Sequence, residues 1–141
     1  MSVDFLDSNV FVYLFDSVHI KKRDIATGLV RGALQNNGAC ISFQVVQETL
    51  RVVTEKLPQP ASAEDAKKFF LHSLQPLWRV MPSAELYAAT LHLRERWKFS
   101  FYDSLIVAAA LQAGCKRLLS EDMQHGQRIE GLRIENPFKG A

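Results

Sequence analysis

Five acidic residues stand where short apolar runs of the chain give out. Asp7 follows Val3 to Leu6, and Glu48 lies just beyond Ala39 to Phe43. Asp103 precedes the apolar run Ser104 to Ala113, and Glu121 and Asp122 follow Lys116 to Leu119. Singly, each has an ordinary use: Asp7 as a helix cap, Glu48 as a partner of Arg51 one turn on, Asp103 at a helix N-terminus, Asp122 in a turn. Together they pose an electrostatic problem, because two carboxylates ~4 Å apart repel by about 4 kcal/mol at an effective dielectric near 20. A fold that gathers three or four of them needs a counter-charge. Hard divalent cations, Mg²⁺ or Mn²⁺, prefer such carboxylate and water oxygens. No His stands with these acids at a spacing that suggests zinc. An all-carboxylate Mg²⁺ site chiefly serves phosphoryl transfer or phosphodiester hydrolysis.

The elements that must position these acids follow from the hydrophobic pattern. Val3 to Leu6 reads as a first strand, stopped by Asp7-Ser8-Asn9, three residue types that cap helices, before Val10 to Phe15 resumes the apolar pattern. Lys21 to Gln35 is an amphipathic helix with Ile25, Leu29 and Ala33 on one face, ended at Asn36-Asn37-Gly38, where Gly38 is expected to take the left-handed turn. Ala39 to Phe43 is a second strand. Gln44 to Lys56 is a helix with Val45, Thr49, Val52 and Val53 inward. Pro58-Gln59-Pro60 interrupts it, and Ser62 caps a further helix to about Leu74. Leu77 to Met81 is a strand, and Ala84 to Trp97 a helix with Leu86, Ala89, Leu93 and Trp97 at helical spacing. Phe101 to Asp103 leads into the most apolar helix, ended at Gly114. Lys116 to Leu119 and Leu132 to Glu135 complete the strands. The alternation predicts one α/β domain over residues 1–141, three-layered, with a mostly parallel sheet of about five strands and helices on both faces. In such sheets the functional crevice lies outside the carboxyl ends of the strands, where the acids stand.

Composition narrows the classes further. The 141 residues are 48% hydrophobic and 23% charged, with a net charge of +2. That excludes wholesale disorder and does not announce a polyanion binder. Cys40 and Cys115 cannot make a disulfide scaffold and read as small buried hydrophobes in a reducing compartment. The N-terminus has no basic stretch before a long apolar one, and no run approaches the roughly 20 apolar residues of a membrane span. The expectation is a soluble, cytoplasmic protein.

Four segments then resemble one family. Phe5-Leu6-Asp7-Ser8-Asn9-Val10, Ile41 to Glu48, Tyr102 to Ala110 and Leu118 to Gly126 are similar, in order, to the four acidic motifs of PIN domains. The resemblance runs from Asp4 to about Pro137, and the closest subgroup is the VapC-type toxins of toxin–antitoxin pairs. It implies Mg²⁺- or Mn²⁺-dependent endonuclease cleavage, mostly of RNA. Asp7, Glu48, Asp103 and Asp122 match the catalytic, metal-binding quartet. Ser8 and Asn9 match polar residues beside the first acid, and Ser120 a residue near the fourth. Glu121 competes with Asp122 for the fourth position, and the spacing from Ser120 favours Asp122. The resemblance also implies a homodimer and an antitoxin whose tail covers the acidic pocket. An RNA substrate needs cations: Lys21-Lys22-Arg23 and the cluster Arg94, Arg96 and Lys98 are candidates, with His125 as a loop or substrate contact. The alternative reading is a catalytically silent PIN-like module that binds RNA or a partner protein. An aspartate-nucleophile phosphatase would want an Asp where Asn9 stands, and no Gly-rich loop followed by Lys-Ser/Thr supports a nucleotide site.

Overall fold

The computed structural model describes residues 3–141. Strand β1 (Asp4–Leu6) ends at Asp7, whose carboxylate caps helix α1 (Ser8–Val12) by accepting from the Ser8 N–H at 2.7 Å. A 3₁₀ turn over Tyr13–Phe15 leads to α2 (Ile20–Asn36), then β2 (Ala39–Ser42) and α3 (Phe43–Arg51). Helix α3 widens into a π-turn over Val52–Lys56. Next come α4 (Ala63–Phe69), β3 (Trp78–Val80), α5 (Ala84–Trp97), α6 (Phe101–Gln112), β4 (Arg117–Leu119), β5 (Arg128–Ile129) and β6 (Leu132–Glu135).

The sheet order is β3-β2-β1-β4-β6-β5, parallel throughout except for β5 against β6. Chain direction explains the layers. From β1 the chain steps outward to β2 and β3, then returns past β1 to β4. Right-handed crossovers therefore set α1 to α4 on one face and α5 and α6 on the other. The reversal falls between β1 and β4, which is where a crevice opens in such sheets. Phe5 pairs with Cys40 on one side and Leu118 on the other, all three fully buried. Helix α6 is buried continuously from Ser104 to Ala110, with four residues no larger than Ala or Ser letting it lie close to the sheet. Its all-round apolar character fits a helix enclosed on several sides.

Several sequence expectations need correction. The mostly parallel sheet is as expected, but the sequence pattern does not reveal the antiparallel edge strand β5; it joins β6 by a hairpin over Glu130-Gly131, both at positive φ (49° and 92°) as a two-residue turn requires. Asn37, not Gly38, takes the left-handed cap of α2 at φ 55°. Thr90 rather than Ala89 faces the core from α5; its hydroxyl is satisfied by donating to the Leu86 carbonyl at 2.8 Å, which makes its burial tolerable. The core stripe of α2 centres on Ala26, Val30 and Ala33, with Ile25 and Leu29 at its margin. The cysteines are buried free thiols as expected, and their sulfurs lie 3.5 Å apart. Among the described residues no helix is long and apolar enough to cross a membrane.

Candidate active site

The reversal between β1 and β4 puts Asp7 and the Ser120–Asp122 turn side by side, although 113 positions separate Asp7 from Ser120 in the chain. The Asp7 N–H donates to the Leu119 carbonyl at 3.0 Å, which locks the two strand ends together. Ser120, fully buried, donates its hydroxyl to Asp7 Oδ2 at 2.7 Å and accepts from the Asp122 N–H at 3.2 Å. Asn9, the second residue of α1, donates to Asp122 Oδ2 at 3.2 Å and accepts from the Glu121 N–H at 3.3 Å. Its second donation, to Ser120 Oγ, is long at 3.5 Å. The polar residues flanking the first and fourth acids therefore form one network that fixes where Asp7 and Asp122 stand.

Glu48 comes from the second turn of α3, and Asp103 from the first turn of α6. Ser100 caps α6 by accepting from the Asp103 N–H at 3.1 Å, which sets the residue at the helix mouth. Gln44, one turn before Glu48, donates from Nε2 to the Tyr102 carbonyl at 3.2 Å. That bond ties α3 to the start of α6 and so holds Glu48 towards Asp103. Only 4% of Gln44 is exposed, and its Oε1 has no partner.

The electrostatics place the four acids in one field. Burial raises the Asp7 carboxyl from an ordinary 3.8 to about 6, against the lowering hydrogen bonds of Ser120 and Ser8 and with repulsion from Asp122 and Asp103. Burial also raises Glu48 to about 7, helped by repulsion from Asp7, Asp103 and Asp122 and opposed by Gln44. Glu121 stands apart. Burial pushes its carboxyl up, but Lys22 at 2.8 Å and the Tyr13 hydroxyl at 2.5 Å together hold it below the ordinary value. The pairing takes Glu121 out of the acidic cluster and also takes Lys22 out of the set of free cations.

The donor set is carboxylate, hydroxyl and amide oxygen, the chemistry of a hard divalent cation. Among the described residues no three His, Cys, Asp or Glu side chains lie close enough together to grip one ion by themselves.

The expected substrate-binding residues are more scattered. Arg94, Arg96 and Lys98 are exposed at the end of α5, just before the short link to α6. Arg96 lies over the Trp97 ring at 5.4 Å, and Lys98 pairs with Glu95 at 3.6 Å. His125 is also exposed, and its Nδ1 accepts from the Asn136 N–H at 3.0 Å; no hydrogen bond or ion pair joins it to the four acids. An open groove of ≈530 Å³ runs outward from Glu48 along α3, with Arg51, Lys56 and Tyr102 on its walls. The sequence pattern alone gave these three no substrate role. The available signal was the four-residue step Gln44, Glu48, Val52, Lys56, which lays one stripe along a helix.

Comparison with known proteins agrees with this architecture. The PIN domain family matches residues 5–128. No curated protein sequence gives a significant match. Among solved structures, the fold is similar to a toxin–antitoxin complex from Klebsiella pneumoniae, with a TM-score of 0.70 and 16% identity over 96% of this chain and 98% of that one. It is similar to VapBC2 from Rickettsia felis, bound to a promoter DNA fragment, with a TM-score of 0.69 and 22% identity over 95% and 98%. A third likeness, with a TM-score of 0.60 and 17% identity over 84% and 91%, is to VapC20 from Mycobacterium tuberculosis, described as a sarcin-ricin loop cleaving toxin. Identities this low speak to the fold alone. With the family matched over residues 5–128, most of the chain, and a mostly parallel sheet flanked by helices, this chain belongs to the PIN domain family.

Proposed function

We propose that the chain is a Mg²⁺- or Mn²⁺-dependent endoribonuclease, and that it acts as the toxin of a toxin–antitoxin pair. The observation that carries the enzymatic reading is the convergence of Asp7, Glu48, Asp103 and Asp122 on the β1/β4 crevice, where burial first and the neighbouring carboxylates second hold Asp7 and Glu48 well above the ordinary carboxylate range. Burying carboxylates near one another costs the fold stability, and a bound cation offsets that cost. The toxin reading draws on the likeness to toxin–antitoxin complexes.

When bound, Mg²⁺ or Mn²⁺ supplies Lewis-acid polarisation of a scissile phosphate and activation of water. Asp7 and Asp103 would hold the principal ion. Glu48 would orient water beside it, and Asp122 would act on the site through water or serve a second ion. Ser120 and the Ser8 N–H each bind one Asp7 oxygen, fixing the carboxylate in one orientation. Asn9 does the same for Asp122. Arg94, Arg96 and Lys98 would steer phosphates toward the mouth of α6. An antitoxin segment would silence the enzyme by covering the acidic crevice. Tyr87 and Leu91, exposed one turn apart on α5, would contribute to a homodimer.

The test is incubation of purified protein with total cellular RNA in Mg²⁺, Mn²⁺ or EDTA, beside Asp7→Asn. Discrete, metal-dependent fragments absent from the variant are expected, and mapping their ends identifies the target. Induced expression should arrest growth for wild type and not for Asp7→Asn. A folded, metal-binding protein that leaves all RNA intact would instead favour a silent binding module.

A further inference from the structure

The groove beside Glu48 follows from the helix that carries it. Gln44, Glu48, Val52 and Lys56 recur every four residues along α3 and its π-turn, and all four line the groove. Four residues exceed one 3.6-residue turn, so such a stripe drifts around an ordinary α-helix. The wider π-turn over Val52–Lys56 offsets that drift and keeps Lys56 on the groove side. The opposite wall is Tyr102. Its residue is 65% exposed, although α6 is buried continuously from two positions further on. Gln44 fixes the Tyr102 backbone through its carbonyl, and the Phe101 ring stands edge-on to the Tyr102 ring at 5.4 Å. Among the described residues Arg51 pairs only with Glu55, at 3.5 Å with both side chains about two-thirds exposed, so its guanidinium can turn to engage an anion.

We propose that this groove is a single-stranded RNA subsite: Tyr102 stacks on the base next to the scissile phosphate, and Arg51 and Lys56 hold the strand's phosphates. The inference rests on the ribonuclease reading above and deepens it. The four carboxylates repel a polyanion, so cations are needed along the path that leads to them, and the groove places two there. An exposed aromatic face beside Asp103 can accept any base, as a stacking platform does. The groove's volume lies within the usual range of ligand sites, 300 to 1,000 Å³ or roughly so.

The experiment measures binding of a fluorescein-labelled single-stranded RNA heptamer by anisotropy at several salt concentrations. Asp7→Asn is the parent, so that nothing is cut, and thermal melts confirm folding of each variant. Adding Tyr102→Ala should weaken binding about five- to a hundredfold, while Tyr102→Phe stays within about twofold, since stacking needs the ring and not the hydroxyl. Adding Arg51→Ala and Lys56→Ala together should lower the slope of log affinity against log salt by about 1.4, roughly 0.7 for each single-strand phosphate no longer neutralised. Parent-like affinity in the Tyr102→Ala protein, or no RNA binding by the parent, overturns the subsite. Wild-type protein that cuts RNA in Mg²⁺ under those same outcomes leaves the ribonuclease reading standing; wild-type protein that cuts none removes that reading itself.

Discussion

Asp7→Asn should make the metal-free protein more stable at neutral pH, whereas exchanging one helix cap for an equivalent one would leave stability about unchanged. Burial and two neighbouring carboxylates raise the Asp7 carboxyl from 3.8 to about 6. At about 1.36 kcal/mol for each tenfold change in a proton equilibrium, keeping Asp7 ionised costs the folded state about 3 kcal/mol. The pH dependence has a definite sign. Below pH 3.8 both folded and unfolded chains hold the proton and no cost is felt. As pH rises, the unfolded chain releases its proton first, so stability falls until the folded carboxyl ionises near 6, and the full cost remains above that. Asn carries no charge at any pH. It does lose part of one hydrogen bond, because the Ser120 hydroxyl, which donates to Asp7 and accepts from Asp122, must now face an amide donor; about 1 kcal/mol is a fair value. The net gain at pH 8 is about 2 kcal/mol, or roughly 6 °C in Tm for a domain of this size. Urea unfolding in EDTA, at steps from pH 4 to 8, measures it. The gain should vanish or reverse near pH 4. Saturating Mg²⁺ should then stabilise wild type, by about 2.7 kcal/mol at a hundred times Kd, and leave Asp7→Asn unmoved. A variant less stable than wild type by the same margin at pH 4 and pH 8 would mean that Asp7 is a contented cap, and the reasoning from repulsion would fail.

Ser120→Ala strips Asp7 Oδ2 and the Asp122 N–H of a buried partner. It should destabilise the protein by about 1–3 kcal/mol in urea unfolding, more at pH 8 than at pH 4. Cleavage should depend on pH through metal affinity: Asp7 and Glu48 must lose protons held to about 6 and about 7. The Mg²⁺ concentration for half-maximal cleavage should therefore fall as pH rises from 5.5 to 8, and a flat profile would contradict the assignment. Glu121→Gln breaks the Lys22 and Tyr13 pairings outside the cluster. It should lower Tm slightly and leave the cleavage rate within about twofold, whereas a loss comparable to Asp122→Asn would make Glu121 the fourth acid after all.

Much of this arrangement was legible because the acids sit where local rules are strongest. Asp7-Ser8-Asn9 could only be a stop and a cap between two apolar runs, and it is both. The expected limits of α5, Ala84 to Trp97, are the observed ones, and its Ser83 cap bond to the Leu86 N–H is seen only in the fold. What escaped depends on tertiary partners. The Glu130-Gly131 hairpin is short, and Gly131 alone does not announce a turn that also needs Glu130 at positive φ. Thr90 is buried in place of Ala89 because its hydroxyl finds the Leu86 carbonyl. Glu121 and Asp122 are adjacent in sequence; only the fold reveals that Lys22, from α2, draws Glu121 aside. The groove escaped because its wall combines α3, a π-turn and the exposed ring of Tyr102, three features with no common sequence signature.

The central claim is that four carboxylates act as one metal-dependent centre for RNA cleavage. Its most direct test is the rate of cleavage of one mapped RNA target at fixed Mg²⁺ by Asp7→Asn, Glu48→Gln, Asp103→Asn and Asp122→Asn, each shown to be folded. The account predicts that wild-type cleavage is abolished by EDTA and that every one of the four variants loses about a hundredfold or more, the scale of removing one well-placed electrostatic group from an active site. Cleavage at wild-type rates by the Asp7 or Asp103 variant, or undiminished in EDTA, would contradict it.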